Sequence, residues 1–290
     1  MNLKNKAINS VSRIIPDKPY LILKYRVKMG SNLNLKNPKK YTEKIQWLKL
    51  NDYKPEYTDM VDKYNAKSFV SGIIGEQYII PTLGVWDSFD EIDFTNLPNQ
   101  FVLKCTHDSG GVVICKDKTV LDINAAKRKI ENALKNDFYY AQRERPYKYV
   151  TRRIIAEQYM EDHVVNDLRD YKIHCFNGEP KYLQVIGNRN HSNHTGNQMF
   201  YSFDWKDAGW AFGDYPPYNK DLEKPYHLEL MYEIAKKLSQ GLRYIRVDLY
   251  EINGDVYFGE LTLYPAGGFY PYNNLFNLSA DTMLGDLIQL

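Results

Sequence analysis

Apolar and polar positions along the 290 residues change period several times, and the changes divide the chain into elements. Residues 1–60 read as short helices joined by polar turns. The best of these is KKYTEKIQWLKLND (39–52), where Thr42 is placed to cap and Ile45, Trp47, Leu48 and Leu50 supply a buried side. DMVDKYNAKSFVSG (59–72) predicts a further helix ending at a glycine. From 76 to 104 the pattern gives strand, loop and strand, closing on the apolar run FVLK. FVLKC and VVICK then flank THDSGG as a hairpin. Helical spacing returns from Ile123 to Asn136, and strand-like blocks follow at 153–160, 170–177 and 181–187. A helix at 226–240 leads into a last hairpin. β pairs alternating with helices argue for an α+β class and against an all-parallel sheet.

The last hairpin carries the most chemistry. Ile245, Val247 and Leu249 alternate with Arg246, Asp248 and Tyr250, and Val256, Phe258, Glu260 and Thr262 form the corresponding set on the return strand. A two-residue Asn253-Gly254 turn pairs Asp248 with Gly259 and leaves Glu260 on the opposite face. A three-residue loop, Ile252-Asn253-Gly254 with Gly254 left-handed, pairs Asp248 with Phe258 and Arg246 with Glu260. In that second register Arg246, Asp248, Glu260 and Thr262 project together. Asp248 and Glu260 share one metal cluster only if the turn has an odd loop or a bulge, and Gly254 is placed to supply it. A hard cation such as Mg2+ takes carboxylate oxygens together with phosphate oxygens and water. A surface hairpin with an Arg–Glu cross-strand pair and a solvated Asp fits the spacing equally well.

Composition narrows the choice of partners. A net charge of +2 gives no nucleic-acid footprint, and no apolar run approaches the roughly 20 residues needed to cross a bilayer. MNLKNKAINSVSRIIPDKPY lacks the apolar stretch of a signal peptide, so the expectation is a cytoplasmic protein without stable membrane insertion. Cys105, Cys115 and Cys175 have no metal spacing and read as reduced thiols on strands. The 25 tyrosines suit either a sugar-contacting surface or the filling of core and edge strands.

The run RVD (246–248), followed after a turn by GELT (259–262) and Pro265, resembles the C-terminal metal motif of ATP-grasp enzymes. Asp248 and Glu260 match its two carboxylate ligands, while Thr262 stands where an asparagine is usual. Three upstream segments fit the same family in order. Asp62-Lys63 in MVDKYNAK resembles its early D-K helix, Lys104 in FVLKCTHDSGG its phosphate-binding strand lysine, and Glu157-Gln158-Tyr159-Met160 its interlobe adenine strand. More narrowly, YTEKIQWLKLND, DLRDYKIHCFNGEPKYLQV and RVDLY…YFGELTLYPAGG are similar to the teichuronopeptide-biosynthesis (TupA-like) branch, over roughly residues 35–275.

The resemblance implies an ATP-grasp fold, two α+β lobes whose antiparallel sheets sandwich ATP. The corresponding divisions are a helical N-terminal segment at 1–60, an N-lobe with a glycine-rich flap at 61–155 and a C-lobe with the metal site at 156–290. It implies an ATP-dependent ligase that activates a carboxylate as an acyl phosphate for attack by an amine. The partners would be ATP, an amino acid and a uronate-bearing sugar in surface polysaccharide biosynthesis. The cofactor would be Mg2+, two ions, held by Asp248, Glu260 and Thr262. Lys63 and Lys104 would meet the α- and β-phosphates. Glu157, Gln158 and Met160 would meet adenine, Asp170 the ribose hydroxyls and Lys172 a phosphate. Arg246 would serve the γ-phosphate or the acyl oxyanion, and Arg189 the γ-phosphate or a substrate carboxylate. The loop His107-Asp108-Ser109-Gly110-Gly111 would close over the phosphates.

Some readings stay open beside this one. His191 and His194 stand three apart in a polar loop, but no further ligand is near them in sequence, which disfavours zinc. His174 and His227 read as structural or solvent-facing. Tyr264, Phe269, Tyr270 and Tyr272 either stack on a sugar or fill the core. A glycosyltransferase is the main rival, although the sequence holds no Asp-x-Asp, and neither HRD nor DFG of a protein kinase is present.

Overall fold

The computed structural model describes residues 12–108, 110–163, 168–190, 195–212, 215–219, 221–270, 272–274 and 280–290. Four helices come first: α1 (Asp17–Met29), α2 (Tyr41–Asn51), α3 (Glu56–Val61) and α4 (Asn65–Ile74). In α2 the start is capped by Glu43, whose carboxylate accepts the Lys39 and Lys40 amides at 2.9 and 3.2 Å. Thr42, expected as the cap, is instead buried between Tyr25 and Asp281. Ile45 and Leu48 are buried as expected, and so are Gln46 and Lys49.

The helix expected over 59–72 is broken at its D-K pair. Asp62 turns extended, and its Oδ1 accepts the Tyr64 and Asn65 amides while Oδ2 takes Arg153 at 3.1 Å. A carboxylate that satisfies the free amides of a following helix ends one helix and starts the next.

A four-stranded sheet is built from β1 (Thr82–Trp86), β2 (Phe101–Cys105), β3 (Val112–Cys115) and β4 (Ile154–Gln158), in the order β1-β4-β2-β3 and antiparallel throughout. Phe101, Leu103 and Cys105 alternate inward, against Ala126, Ile130 and Ala133 of α5 (Ile123–Leu134). A short α6 (Phe138–Gln142) follows α5 and leads back to β4.

The second sheet has five strands. β5 (Asp170–Phe176), β6 (Glu179–Asn190) and β7 (Thr195–Ser202) pair with β9 (Tyr244–Ile252) and β10 (Asp255–Thr262), in the order β10-β9-β5-β6-β7. Between them β8 (Trp210–Phe212) pairs with β11 (Tyr272–Asn274), and α7 (Leu228–Leu238) precedes β9. The C-terminal α8 (Ala280–Asp286) packs on α2. Tyr171, Ile173 and Cys175 enter one core with Met231, Ile234, Ala235 and Leu238 of α7. That packing leaves the alternate residues Asp170, Lys172 and His174 on the other face.

The α+β class and the antiparallel sheets agree with the sequence pattern. The segment after β4 is fastened to the β9–β10 turn, because Asn253 accepts the His163 amide at 2.9 Å and donates to the Glu161 carbonyl at 3.1 Å. No described helix is long and apolar enough to cross a membrane.

Candidate active site

The β9–β10 hairpin turns on two residues. Asn253 and Gly254 both have positive φ, 52° and 89°, and Ile252 faces Asp255 across them. That turn by itself would set Glu260 against the wrong face. A bulge between Phe258 and Glu260 corrects the register, so that Glu260 stands opposite Asp248 and Thr262 opposite Arg246. The bulge falls at Gly259 and not at the turn glycine Gly254. It is a matter of space, since a Cβ on Gly259 would meet Tyr250 Cε2 at 2.9 Å and the Asp248 carbonyl oxygen at 3.1 Å.

On this face Arg246 holds the acids together. Its Nε and Nη2 donate to Asp248 at 2.6 and 2.7 Å, and Nη2 donates to Glu260 at 3.0 Å and to Thr262 at 3.1 Å. The neighbouring β5 sets Lys172 opposite Asp248 and Asp170 opposite Tyr250. Lys172 pairs with Asp248 and lies 3.6 Å from Asp170, which also takes Arg189. Seven of the sequence candidates therefore form one connected network: Asp170, Lys172, Arg189, Arg246, Asp248, Glu260 and Thr262.

Burial pushes the Asp248 carboxyl up. Burial also acts to raise Glu260, but Lys172, Arg246 and Lys63 outweigh it and hold that carboxyl down to about 2. His174, beneath the network, bonds Tyr244 at 2.8 Å, and burial and Arg246 press it down to about 3. It remains neutral and structural.

A second group sits on the four-stranded sheet. Glu157 on β4 takes Lys104 of the adjacent β2 and, at 2.6 Å, Lys67 of α4. Burial works against its charge, yet Lys104 and Lys67 hold the carboxyl below the usual carboxylate range. Lys67 was not anticipated, although it follows Lys63 at the one-turn helical spacing. Lys63, freed from the helix by the Asp62 break, donates to the Asp108 carbonyl at 2.7 Å. Burial pushes the pKa of its ammonium down, while the charges of Glu260, Asp108 and Glu157 act to raise it.

Other candidates lie apart from both groups. His107 is buried, with Nε2 3.2 Å from the Asn136 carbonyl, so it points into the α5 layer. Gly111 allows close packing of the hairpin, because a Cβ there would meet Ala133 at 2.4 Å; Gly110 faces open space apart from Asp108. Gln158 is exposed and Met160 half-buried at the end of β4. Tyr264 and Phe269 are buried core residues, Tyr270 is exposed, and His227 lies 3.0 Å from Glu251. Ser109, His191 and His194 lie outside the described residues, as does the side chain of Tyr272.

Among the described residues no group of three or more His, Cys, Asp or Glu side chains forms a metal cage. Two carboxylates converging on one Arg246 nitrogen suit Mg2+, which completes its shell with phosphate oxygens and water instead of protein ligands. Thr262 is already engaged with Arg246 and, at 3.1 Å, with Glu260. Thr262→Val is therefore expected to change ATP turnover by less than about tenfold, since a neutral hydrogen bond contributes about 1 kcal/mol. A loss beyond a hundredfold in a steady-state assay would make its hydroxyl a metal ligand.

Two antiparallel sheets that each carry lysines and acids fit an ATP-grasp protein, and the family match shows that class. More narrowly, the chain belongs to the TupA-like ATPgrasp family, which it matches over residues 43–289. Among solved structures it is similar to D-alanine–D-alanine ligase from Bacillus anthracis complexed with ATP. The identity is 15%, the TM-score 0.40, and the match covers 71% of this chain and 54% of that one. D-alanine–D-alanine ligase from Helicobacter pylori is 16% identical, with TM-score 0.43 and coverage of 87% and 70%. D-alanyl-alanine synthetase A from Vibrio cholerae is 12% identical, with TM-score 0.42 and coverage of 84% and 62%. The chain thus spans about half the length of the first of these ligases, 54%. Among curated proteins no significant match was found.

Proposed function

We propose that this protein is an ATP-dependent carboxylate–amine ligase that activates a carboxylate as an acyl phosphate and joins it to an amine. The finer reading is an amino acid joined to a uronic-acid carboxyl in surface polysaccharide biosynthesis. The observation that carries the proposal is the meeting of Asp248 and Glu260 across the Gly259 bulge, with Arg246, Lys172 and Lys63 around them. Transfer of a γ-phosphoryl group needs fixed charges around the reacting oxygens more than it needs covalent chemistry from the protein.

Asp248 and Glu260 would hold Mg2+, which supplies charge neutralisation at the transferring phosphoryl group. Lys104 and Lys63 would bind the α- and β-phosphates from the opposite sheet. Arg246 bonds both carboxylates and would serve the γ-phosphate or the acyl oxyanion. Asp170 would take the ribose, Lys172 a phosphate, and Arg189 the γ-phosphate or a substrate carboxylate. Glu157, Gln158 and Met160 would line the adenine side.

The test is incubation with ATP, Mg2+, UDP-glucuronate, UDP-galacturonate and a mixture of amino acids. Release of ADP and phosphate with an amide product supports the ligase. Release of UDP without ATP consumption makes the protein a glycosyltransferase and overturns the proposal.

Lys104→Met provides a separate check. Losing a charged hydrogen bond to phosphate should weaken ATP binding by about 10- to 100-fold, from roughly 1.5–3 kcal/mol. The variant also takes one of two cationic partners from the buried Glu157, which keeps only Lys67, so a lowered melting temperature is expected beside the binding defect. Unchanged ATP affinity by calorimetry would remove Lys104 from the phosphate site.

A further inference from the structure

Helix α1 carries apolar side chains on both of its faces. Inward, Tyr20, Leu21 and Tyr25 are fully buried and form one core cluster with Phe269, from the segment after β10. Hydrogen bonds fasten that side. Tyr20 donates to the Ala141 carbonyl at 3.0 Å, Lys24 donates to the same carbonyl and to Gln142 Oε1 at 2.8 Å, and the Tyr25 and Thr42 hydroxyls meet at 2.9 Å. The helix is therefore firmly seated, and its outer face is a fixed surface.

Outward, Ile22, Leu23 and Val27 are between 38% and 41% exposed, and Ile14, in the turn before the helix, is 82% exposed. At 3.6 residues per turn Lys18, Ile22, Arg26, Pro19, Leu23 and Val27 fall on one continuous arc, opposite Tyr20, Leu21, Lys24 and Tyr25. An apolar strip interleaved with cations on the far side of a packed helix marks a contact with something outside the chain.

Charge decides what that is. The first 40 residues hold ten lysines and arginines against one acid, Asp17. Their net charge is +9 in a chain of net +2, so the remaining 250 residues carry −7. Asp17 is engaged within the protein, where it accepts the Tyr139 hydroxyl at 2.8 Å and lies 3.0 Å from Arg143. Lys18, Arg26 and Lys28 are exposed, and among the described residues none of them takes part in an ion pair. Arg13, Lys36 and Lys39 are exposed as well. An asymmetry of this size along a chain calls for an anionic partner.

We propose that the outer face of α1 is a docking surface for an anionic lipid bilayer, with Ile14, Ile22, Leu23 and Val27 at the acyl boundary and the surrounding cations on the lipid phosphates. The inference does not depend on the ligase reading. Attachment is peripheral, since α1 has 13 residues where a spanning helix needs roughly 20. A nucleic acid would use the cations but leave the apolar strip in water. A stable protein partner needs about 800 Å2 on each side, whereas a helix about 20 Å long offers one narrow strip. A bilayer needs no more than that strip, because each nearby cation strengthens the attachment severalfold.

The experiment floats the full chain with vesicles of phosphatidylcholine alone and of phosphatidylcholine with phosphatidylglycerol, roughly two to one, at low salt. Wild type should bind the anionic vesicles at least about tenfold more tightly than the neutral ones, and the difference should shrink as salt is raised. Lys18→Glu/Arg26→Glu changes only exposed cations, and Ile22→Gln/Leu23→Gln introduces good helix formers. Each pair should weaken anionic-vesicle binding by about tenfold or more while melting within a few degrees of wild type.

Equal binding to neutral and anionic vesicles overturns the docking surface, and so does the absence of binding by a folded wild type. Wild-type affinity in either folded variant overturns it too. Where vesicles do not bind, a solution dimer lost in Ile22→Gln/Leu23→Gln would give the face to a second copy, and binding of a DNA duplex would give it to nucleic acid.

Discussion

Asp248→Ala should lose both stability and ATP turnover, whereas Glu260→Gln should lose turnover alone. The difference follows from how each acid is held. Asp248 is 1% exposed and receives two Arg246 N–H groups as well as the Lys172 ammonium. Removing it leaves two buried cations facing each other, a loss of about 3–5 kcal/mol. For a chain of this size that lowers the melting temperature by on the order of 10 °C. The Glu260 side chain is 43% exposed and shares Arg246 with Asp248, so its removal should cost no more than about 1 kcal/mol. On the proposed ligase reading both variants would give up a carboxylate near the transferring phosphoryl group, where one electrostatic contact contributes about 10²–10³-fold in rate. Scanning fluorimetry beside an ADP-release assay separates the two effects. Full turnover in Glu260→Gln would remove that residue from the metal site.

Gly259→Ala should be nearly as damaging to turnover, although it changes no charge. The added methyl group would press on the Tyr250 ring and on the Asp248 carbonyl, and the second of these is backbone that cannot swing aside. Overpacking of this kind costs about 1–3 kcal/mol. The strand can relieve it by shifting at the bulge, which carries Glu260 away from its place opposite Asp248. Mg2+-dependent ADP release should fall at least about tenfold, the equivalent of 1.4 kcal/mol. ATP binding without Mg2+ should stay within about twofold, a few tenths of a kcal/mol. Wild-type turnover in Gly259→Ala would show that the bulge does not set the metal geometry.

Much of the fold was legible because most of its strands lie in local hairpins with clear period-two patterns. The pairing of Asp248 with Glu260 was foreseen only as a condition, an odd loop or a bulge, and the glycine that meets it proved to be Gly259. A turn announces itself by residues that favour positive φ, such as Asn253-Gly254, whereas a bulge glycine chosen for space leaves no local signature. The helix over 59–72 was read through its own break, because Asp62 caps α4 by means of contacts to Arg153 that lie far away in sequence. Strand β7 and helix α6 were not foreseen, and Lys67 was missed for a related reason. Its role depends on which elements the tertiary fold brings alongside, since it is the β4 strand that presents Glu157 to Lys67. Thr42 illustrates the same limit, since a residue that suits a helix cap was taken by Tyr25 and Asp281.

The two hydrogen bonds of Asn253 have a mechanical consequence. They rivet the chain at Glu161 and His163 to the tip of the β9–β10 hairpin, while Gln158 is anchored through its amide to the Pro81 carbonyl beside β1. The stretch Tyr159–Met160 therefore runs directly from an anchor on the first sheet to an anchor at the hairpin of the second. If adenine binds where the resemblance expects it, the base would lie against a stretch of chain that is pinned to both sheets at once.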